Sequence, residues 1–243
     1  MMFAAKKAVD KTPLDVVFLL QSSGQLENTF INQKTMIYEL MVDLIAEYGR
    51  GNVRFAVIAY NRSGAEFLPS TEGDIWFTTA YGLRQELNDL VYGYTSFQTD
   101  RSNAFQKLQS EVQFKENASK FIFQVMNGSS TAGNTYFDQI NTCARLGINY
   151  SELMPEGYYY ANSSYGQQVA DAIASTNGIN LTYGSGTQYE VFMHIYNNAV
   201  PPQMEFNAIV PTGWKHIVLD GILDPDNGVN SDTDELTDWE EVN

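Results

Sequence analysis

Leu14-Asp15-Val16-Val17-Phe18-Leu19-Leu20-Gln21-Ser22-Ser23-Gly24-Gln25 reads as a buried strand running into a small polar loop. Residues 14–20 are apolar except for Asp15. The run is too short for a helix buried on every face, and it is β-branched and aromatic enough for a strand covered on both sides. It stops at a loop containing one glycine, and a helical pattern follows. Parallel α/β sheets hold ligands just beyond the carboxyl ends of their strands, so residues 21–25 are the first place to look for function.

Working outward, Phe30, Ile31, Met36, Ile37, Leu40, Met41, Leu44 and Ile45 predict an amphipathic helix over residues 29–46, stopped by Gly49 and Gly51. Residues 53–60 and 120–126 repeat the buried-strand pattern. Residues 67–68 and 75–77 look like short edge pieces, and further strands are expected to begin at 147–150 and to cover 158–161. Helical patterns over 83–91, 102–114, 136–146 and 165–175 alternate with them. The fold class expected is α/β: a doubly wound, mostly parallel sheet with helices on both faces. Past Thr176 the pattern changes, and residues 179–183, 189–196, 204–210 and 216–219 read as strands. The expected partition is a leader over 1–12, an α/β domain over 13–176, a small β-rich extension over 177–223 and an acidic tail over 224–243.

At 243 residues with 44% apolar content, the chain can bury a sizeable core. It shows neither a 20-residue apolar span nor the apolar core of a signal peptide, so no transmembrane segment is expected. The single cysteine, Cys143, forbids an internal disulfide and sits in a helical pattern that suggests a buried, inert thiol. Nine of the 29 acids fall from Asp220 onward with no lysine or arginine among them, leaving 20 acids against 14 bases, net −6, in the first 219 residues. Without a basic patch, nucleic acid is set aside as a partner.

Three separated blocks, Asp15 to Gln25, Phe97-Gln98-Thr99-Asp100-Arg101-Ser102 and Phe121 to Gly128, resemble in order and spacing the loops of the von Willebrand factor type A family. The resemblance covers residues 13–176 and implies that family's Rossmann-like sheet. It also implies a metal-ion-dependent adhesion site at the top of the sheet, built from Asp-x-Ser-x-Ser, a Thr and an Asp. Carried over position by position, that set becomes Gln21, Ser23, Gln25, Thr99 and Asn127. Both carboxylates are replaced by amides. Mg²⁺ is held mainly through carboxylates and water, so the departure implies that Mg²⁺ binds here very weakly or not at all. Asp100 and Glu27 lie close in sequence but not at ligand positions. The loop cluster then reads either as a neutral, amide-rich crevice that docks a partner or as a solvated cap.

The acidity of the tail has its own pattern. Asn230, Asp232, Asp234, Asp238 and Glu241 fall at positions 1, 3, 5, 9 and 12 of a loop, with the Leu236 carbonyl at position 7. That is the spacing by which a short loop wraps Ca²⁺, and it resembles the calcium loops of thrombospondin type 3-like and dockerin-like repeats. Glu235 stands where such loops prefer glycine. A disordered acidic tail is the alternative.

His194 and His216, the two histidines present, fall in β-patterned segments, and no nucleophile elbow, P-loop, dinucleotide fingerprint or zinc-protease motif accompanies them. Tyr158-Tyr159-Tyr160 could present one ring to a ligand. The reading is a non-enzymatic protein-binding or adhesion module of a bacterial surface or secreted protein. Its expected partner is a protein or cell-surface ligand, and the chain is expected to be part of a longer polypeptide displayed outside the cell. The alternative is a scaffold domain that acts through assembly contacts alone.

Overall fold

The computed structural model describes residues 12–24, 26–70, 74–94, 99–128, 130–131, 136–155 and 164–199. Within them the run that opened the sequence forms the strand β1 (Leu14–Gln21), with all eight residues buried. It lies at the centre of a six-stranded sheet with β2 (Val53–Asn61), β3 (Gly64–Phe67), β4 (Ser119–Val125), β5 (Ile148–Pro155) and β6 (Asn180–Tyr183), in the spatial order β6-β5-β4-β1-β2-β3. Neighbours are parallel except β3, which returns antiparallel on β2. The chain therefore builds outward from β1 to one edge, crosses back, and builds from β4 to the other. The reversal lies between β1 and β4, which is where a doubly wound sheet opens a crevice at its carboxyl end.

Alternation along β1 sends its side chains to two cores. Leu14, Val16, Phe18 and Leu20 pack with α1 (Glu27–Tyr48), α2 (Ala80–Asp89) and α6 (Thr187–Asn198). Val17 and Leu19 pack with α3 (Ser102–Glu111), α4 (Tyr136–Arg145) and α5 (Ser164–Ala174). Phe18 sits between Phe55 and Phe123, with ring centroids 5.4 Å away on each side. Asp15, the one charge in the run, is fully buried but fully engaged. Arg54 donates to its two oxygens at 2.5 and 2.7 Å, and the Lys115 amide donates at 2.6 Å. Cys143 is buried on α4, and burial pushes its thiol up to about 12, which makes it inert at neutral pH.

Four expectations need correction or relocation. Residues 189–196 are not a strand but most of α6, whose buried positions Thr187, Val191, His194 and Ile195 follow the spacing of a helix. The apolar crowding of Val191-Phe192-Met193-His194-Ile195 concealed that longer period. Residues 180–183 are a strand, but they extend the main sheet by pairing with β5 in place of opening a separate β-rich extension. The turn before them depends on Gly178, where a Cβ atom would stand 1.7 Å from the Tyr150 carbonyl oxygen. Residues 75–77 form no strand and contribute a single bridge, Phe55 to Phe77. His194 lies on α6, buried, with Nε2 2.9 Å from Asn149 Oδ1, and burial lowers its pKa. The expected strands over 158–161, 204–210 and 216–219, the tyrosine cluster, His216 and the acidic tail lie outside the described residues. No helix among the described residues is long and apolar enough to cross a membrane.

Candidate functional site at the carboxyl end of the sheet

β1 delivers Gln21 to the crevice with no exposed surface. The chain then turns against the end of β2, where the Ser22 amide and hydroxyl donate to the Tyr60 carbonyl at 2.8 and 3.2 Å. Ser23 and Gly24 pair with Gly93 and Tyr94 before α1 begins. On the other side of the crevice, β4 ends and Met126 is held from two directions. Its amide donates to the Leu153 carbonyl at 2.9 Å, and its carbonyl accepts from the buried Gln33 side chain of α1 at 2.7 Å. That fixes Asn127, which is also fully buried.

Gln21 and Asn127 are bonded to each other across the reversal point. The Asn127 amide donates to Gln21 Oε1 at 3.1 Å, and Asn127 Nδ2 donates to the Gln21 carbonyl at 2.6 Å. A backbone N–H can only donate and a carbonyl can only accept, so these partners fix the orientation of both side-chain amides. Two oxygens are left over. Asn127 Oδ1 and Ser23 Oγ are buried without a hydrogen-bond partner. Asn127 Oδ1 presses on the backbone of Gly24, where a Cβ atom would lie 2.5 Å away and where φ is +149°. Only glycine fits that position without displacing the asparagine.

The second loop reaches the same end of the sheet through its backbone, with Thr99 and Asp100 pairing with Ser130 and Thr131 in the third loop. Immediately after it comes a residue that the sequence did not single out. Arg101 is 1% exposed and donates from Nη1 to Glu152 Oε1 at 2.9 Å, while its guanidinium lies 4.0 Å from the centre of the Tyr136 ring. The same Nη1 is 3.5 Å from Met126 Sδ, next to Asn127. Glu152, on β5 and fully buried, also accepts from the Tyr150 hydroxyl at 3.3 Å, and the Tyr136 and Tyr150 hydroxyls share a 2.7 Å bond. The signals that could have marked this pair were an arginine at the mouth of a helix and a glutamate inside an apolar strand.

Of the five residues expected at this site, Gln21, Ser23 and Asn127 are brought together and Thr99 is placed beside the third loop by backbone pairing. Gln25 lies outside the described residues, as do Asn230, Asp232, Asp234, Leu236, Asp238 and Glu241. Glu27 is exposed at the start of α1. Among the described side chains, Gln21, Ser23 and Asn127 bring no charge to a divalent cation. Gln21 Oε1 already accepts a hydrogen bond, Asn127 turns its amide nitrogen inward, and the two remaining oxygens carry no charge. Among the described residues no group of three or more His, Cys, Asp or Glu could hold a metal. The Arg101 guanidinium, which touches Met126 beside Asn127, is paired with the Glu152 carboxylate.

The architecture recurs in solved structures. Proximal thread matrix protein 1 of the mussel byssus, in a structure with a zinc-occupied MIDAS motif, matches with a TM-score of 0.58 at 14% identity over 76% of this chain and 48% of that one. BatB of Bacteroides thetaiotaomicron matches with a TM-score of 0.52 at 14% identity, covering 77% of this chain and 98% of that one. An aerotolerance-related membrane protein of Bacteroides fragilis matches equally well, at 0.52 and 14%, over 76% and 99%. The chain thus spans about half the length of the mussel protein, and identities this low speak to the fold alone. No curated protein matches the sequence. The von Willebrand factor type A domain family matches residues 15–186, which include the central strand, both sides of the crevice and the sheet up to β6; the chain belongs to that family.

Proposed function

We propose that this chain is a non-enzymatic protein-binding module whose contact surface is the carboxyl end of the sheet, used without a divalent cation. The observation that carries the reading is the reciprocal bonding of Gln21 and Asn127 across the strand reversal, which joins the first and third loops through amides. A surface assembled in this way is set in place before a partner arrives, which lowers the ordering cost of binding. The membership of the family supports an interaction role. The contexts named for the fold's neighbours, a byssal thread matrix and a bacterial membrane protein, go with display outside the cytoplasm, and on this reading the module adheres to a protein or cell-surface ligand.

The test uses the full chain immobilised and exposed to extracellular protein extracts, with and without EDTA. Capture is expected to survive EDTA and to disappear when Ser23, Thr99 and Asn127 are all replaced by alanine. Release by EDTA refutes the metal-free reading. Undiminished capture by the triple variant refutes the surface and favours a scaffold that acts through assembly contacts.

The acidic tail is proposed as a separate Ca²⁺ loop. Asn230, Asp232, Asp234, Asp238 and Glu241 supply side-chain oxygens in the order that such a loop requires, and Leu236 supplies a carbonyl. Adding Ca²⁺ is expected to change Trp239 fluorescence, and Asp232→Ala with Asp234→Ala is expected to abolish that response. A double variant that responds like its parent places Ca²⁺ elsewhere.

A further inference from the structure

Asn149 and His194 form a buried pair that takes no part in the crevice. On β5, Asn149 donates from Nδ2 to the Asn177 carbonyl at 2.6 Å, which leaves its Oδ1 to face α6. His194, one turn from the end of α6 and buried, places Nε2 2.9 Å from that oxygen. A carbonyl oxygen can only accept, so Nε2 carries the proton. Beyond the ring, Asn198 Nδ2 donates to the His194 carbonyl at 2.9 Å and stands 3.4 Å from Nδ1. The ring is therefore satisfied as a neutral imidazole, and a second proton, on Nδ1, would meet an N–H in place of an acceptor.

Nothing charged answers that second proton. Phe121 and Phe123 wall the ring edge to face, with centroids 6.3 and 6.4 Å away. Lys120 of β4 and Glu152 of β5 alternate to the other face of the sheet, with Ile122 and Tyr150. β6 brings Tyr183, and α1 brings Glu39, Asp43, Glu47 and Tyr48 along its α6 side. Both phenols have raised pKa values and stay neutral, and Asp43 accepts from Gln188. On α6 itself Tyr189, Glu190 and Tyr196 are exposed. None of these groups moves the titration of His194, which burial alone lowers. The helix also has a joint at its other end. Gly184-Ser185-Gly186 is exposed, and nothing lies within 4 Å of where a Cβ atom at either glycine would stand.

We propose that His194 and Asn149 form an acid-sensitive latch: the pair holds α6 on the sheet at neutral pH, and mild acid releases the helix about the Gly184-Ser185-Gly186 joint while the sheet stays folded. α6 buries Thr187, Val191, His194 and Ile195, and of these only His194 titrates in this range. A released ring has the ordinary histidine pKa of about 6.5, and the docked ring has a lower one. Above about 6.5 neither form is charged and docking keeps its full strength. Below it the released ring takes a proton that the docked ring refuses, so release grows by up to about tenfold per pH unit until the docked ring's own pKa is reached. Release uncovers the apolar core to which Val191 and Ile195 belong.

The test is amide hydrogen exchange on the isotopically labelled full chain at pH values of about 7.5, 6.5 and 5.5, corrected for the intrinsic pH dependence of exchange. Protection of the α6 amides is expected to fall by up to about tenfold between the two lower values, while β1 and β4 keep theirs. His194→Gln keeps a neutral donor toward Asn149 and should hold α6 protection level across the range. Asn198→Asp, at an exposed position, sets a carboxylate beside Nδ1 and should carry the loss to lower pH. Protection of α6 that does not change with pH, a loss shared equally by β1 and β4, or the parent's acid response persisting in Asn198→Asp overturns the proposal.

Discussion

Arg101→Leu is expected to lower the stability of the domain by about 3–5 kcal/mol, read as a shift of the urea midpoint with little change in its slope. The size follows from what the substitution strands. Glu152 has no exposed surface, and its Oε1 receives both Arg101 and the Tyr150 hydroxyl. Removing the guanidinium leaves a carboxylate in an aromatic pocket with its compensating charge gone. Glu152→Leu should cost about as much from the other side, because the buried Arg101 guanidinium then loses the anion that it donates to. Arg101→Met combined with Glu152→Leu should recover much of the loss, since a well-packed apolar pair is often as stable as a buried ion pair. A single variant that loses less than about 1 kcal/mol, the range of exposed pairs, means that the pair is solvated and not holding the second loop.

The same pair shows where sequence reading stops. β1 was legible because a strand buried on both faces reads as an apolar run, and Leu14 to Leu20 is one but for Asp15. Gln21, Ser23 and Asn127 were reached through the family resemblance, whose motif positions fall just past the ends of β1 and β4, and the fold brings those positions together. Arg101 and Glu152 lie 51 positions apart, and although each stands at an unusual place in its own element, nothing local pairs the two. Only the fold of β5 beside β4 brings the glutamate under the second loop. The helix α6 was misread for a related reason. Its Val191 and Ile195 point to the sheet, but Phe192 and Tyr196 extend the apolar character onto the exposed side, so no clean helical face survives in the sequence.

Restoring the lost carboxylates should create what the chain lacks. Gln21→Asp, Gln25→Ser and Asn127→Asp together rebuild the family's ligand set around the existing Ser23 and Thr99. Without metal the variant should be weak. Asn127→Asp replaces a donor lying 2.6 Å from the Gln21 carbonyl with an oxygen, so two acceptors are forced together, and two carboxylates are buried side by side without a cation between them. A cost of about 3 kcal/mol corresponds to a drop of about 6–12 °C in Tm for a domain of this size. Mg²⁺ should reverse it. The attraction of a divalent ion to one carboxylate at about 4 Å, with an effective dielectric near 20, is about 8 kcal/mol before desolvation, and each 1.4 kcal/mol that survives is tenfold in affinity. The variant should therefore titrate with Mg²⁺ in calorimetry at or below about 100 μM and recover its Tm as ligand accumulates on the native state. The parent chain should show neither heat nor a Tm shift at millimolar Mg²⁺. Micromolar binding by the parent sinks the account of a neutral, amide-locked crevice. A variant that folds but stays blind to Mg²⁺ shows instead that the loops, not the missing charges, set the chemistry of this end of the sheet.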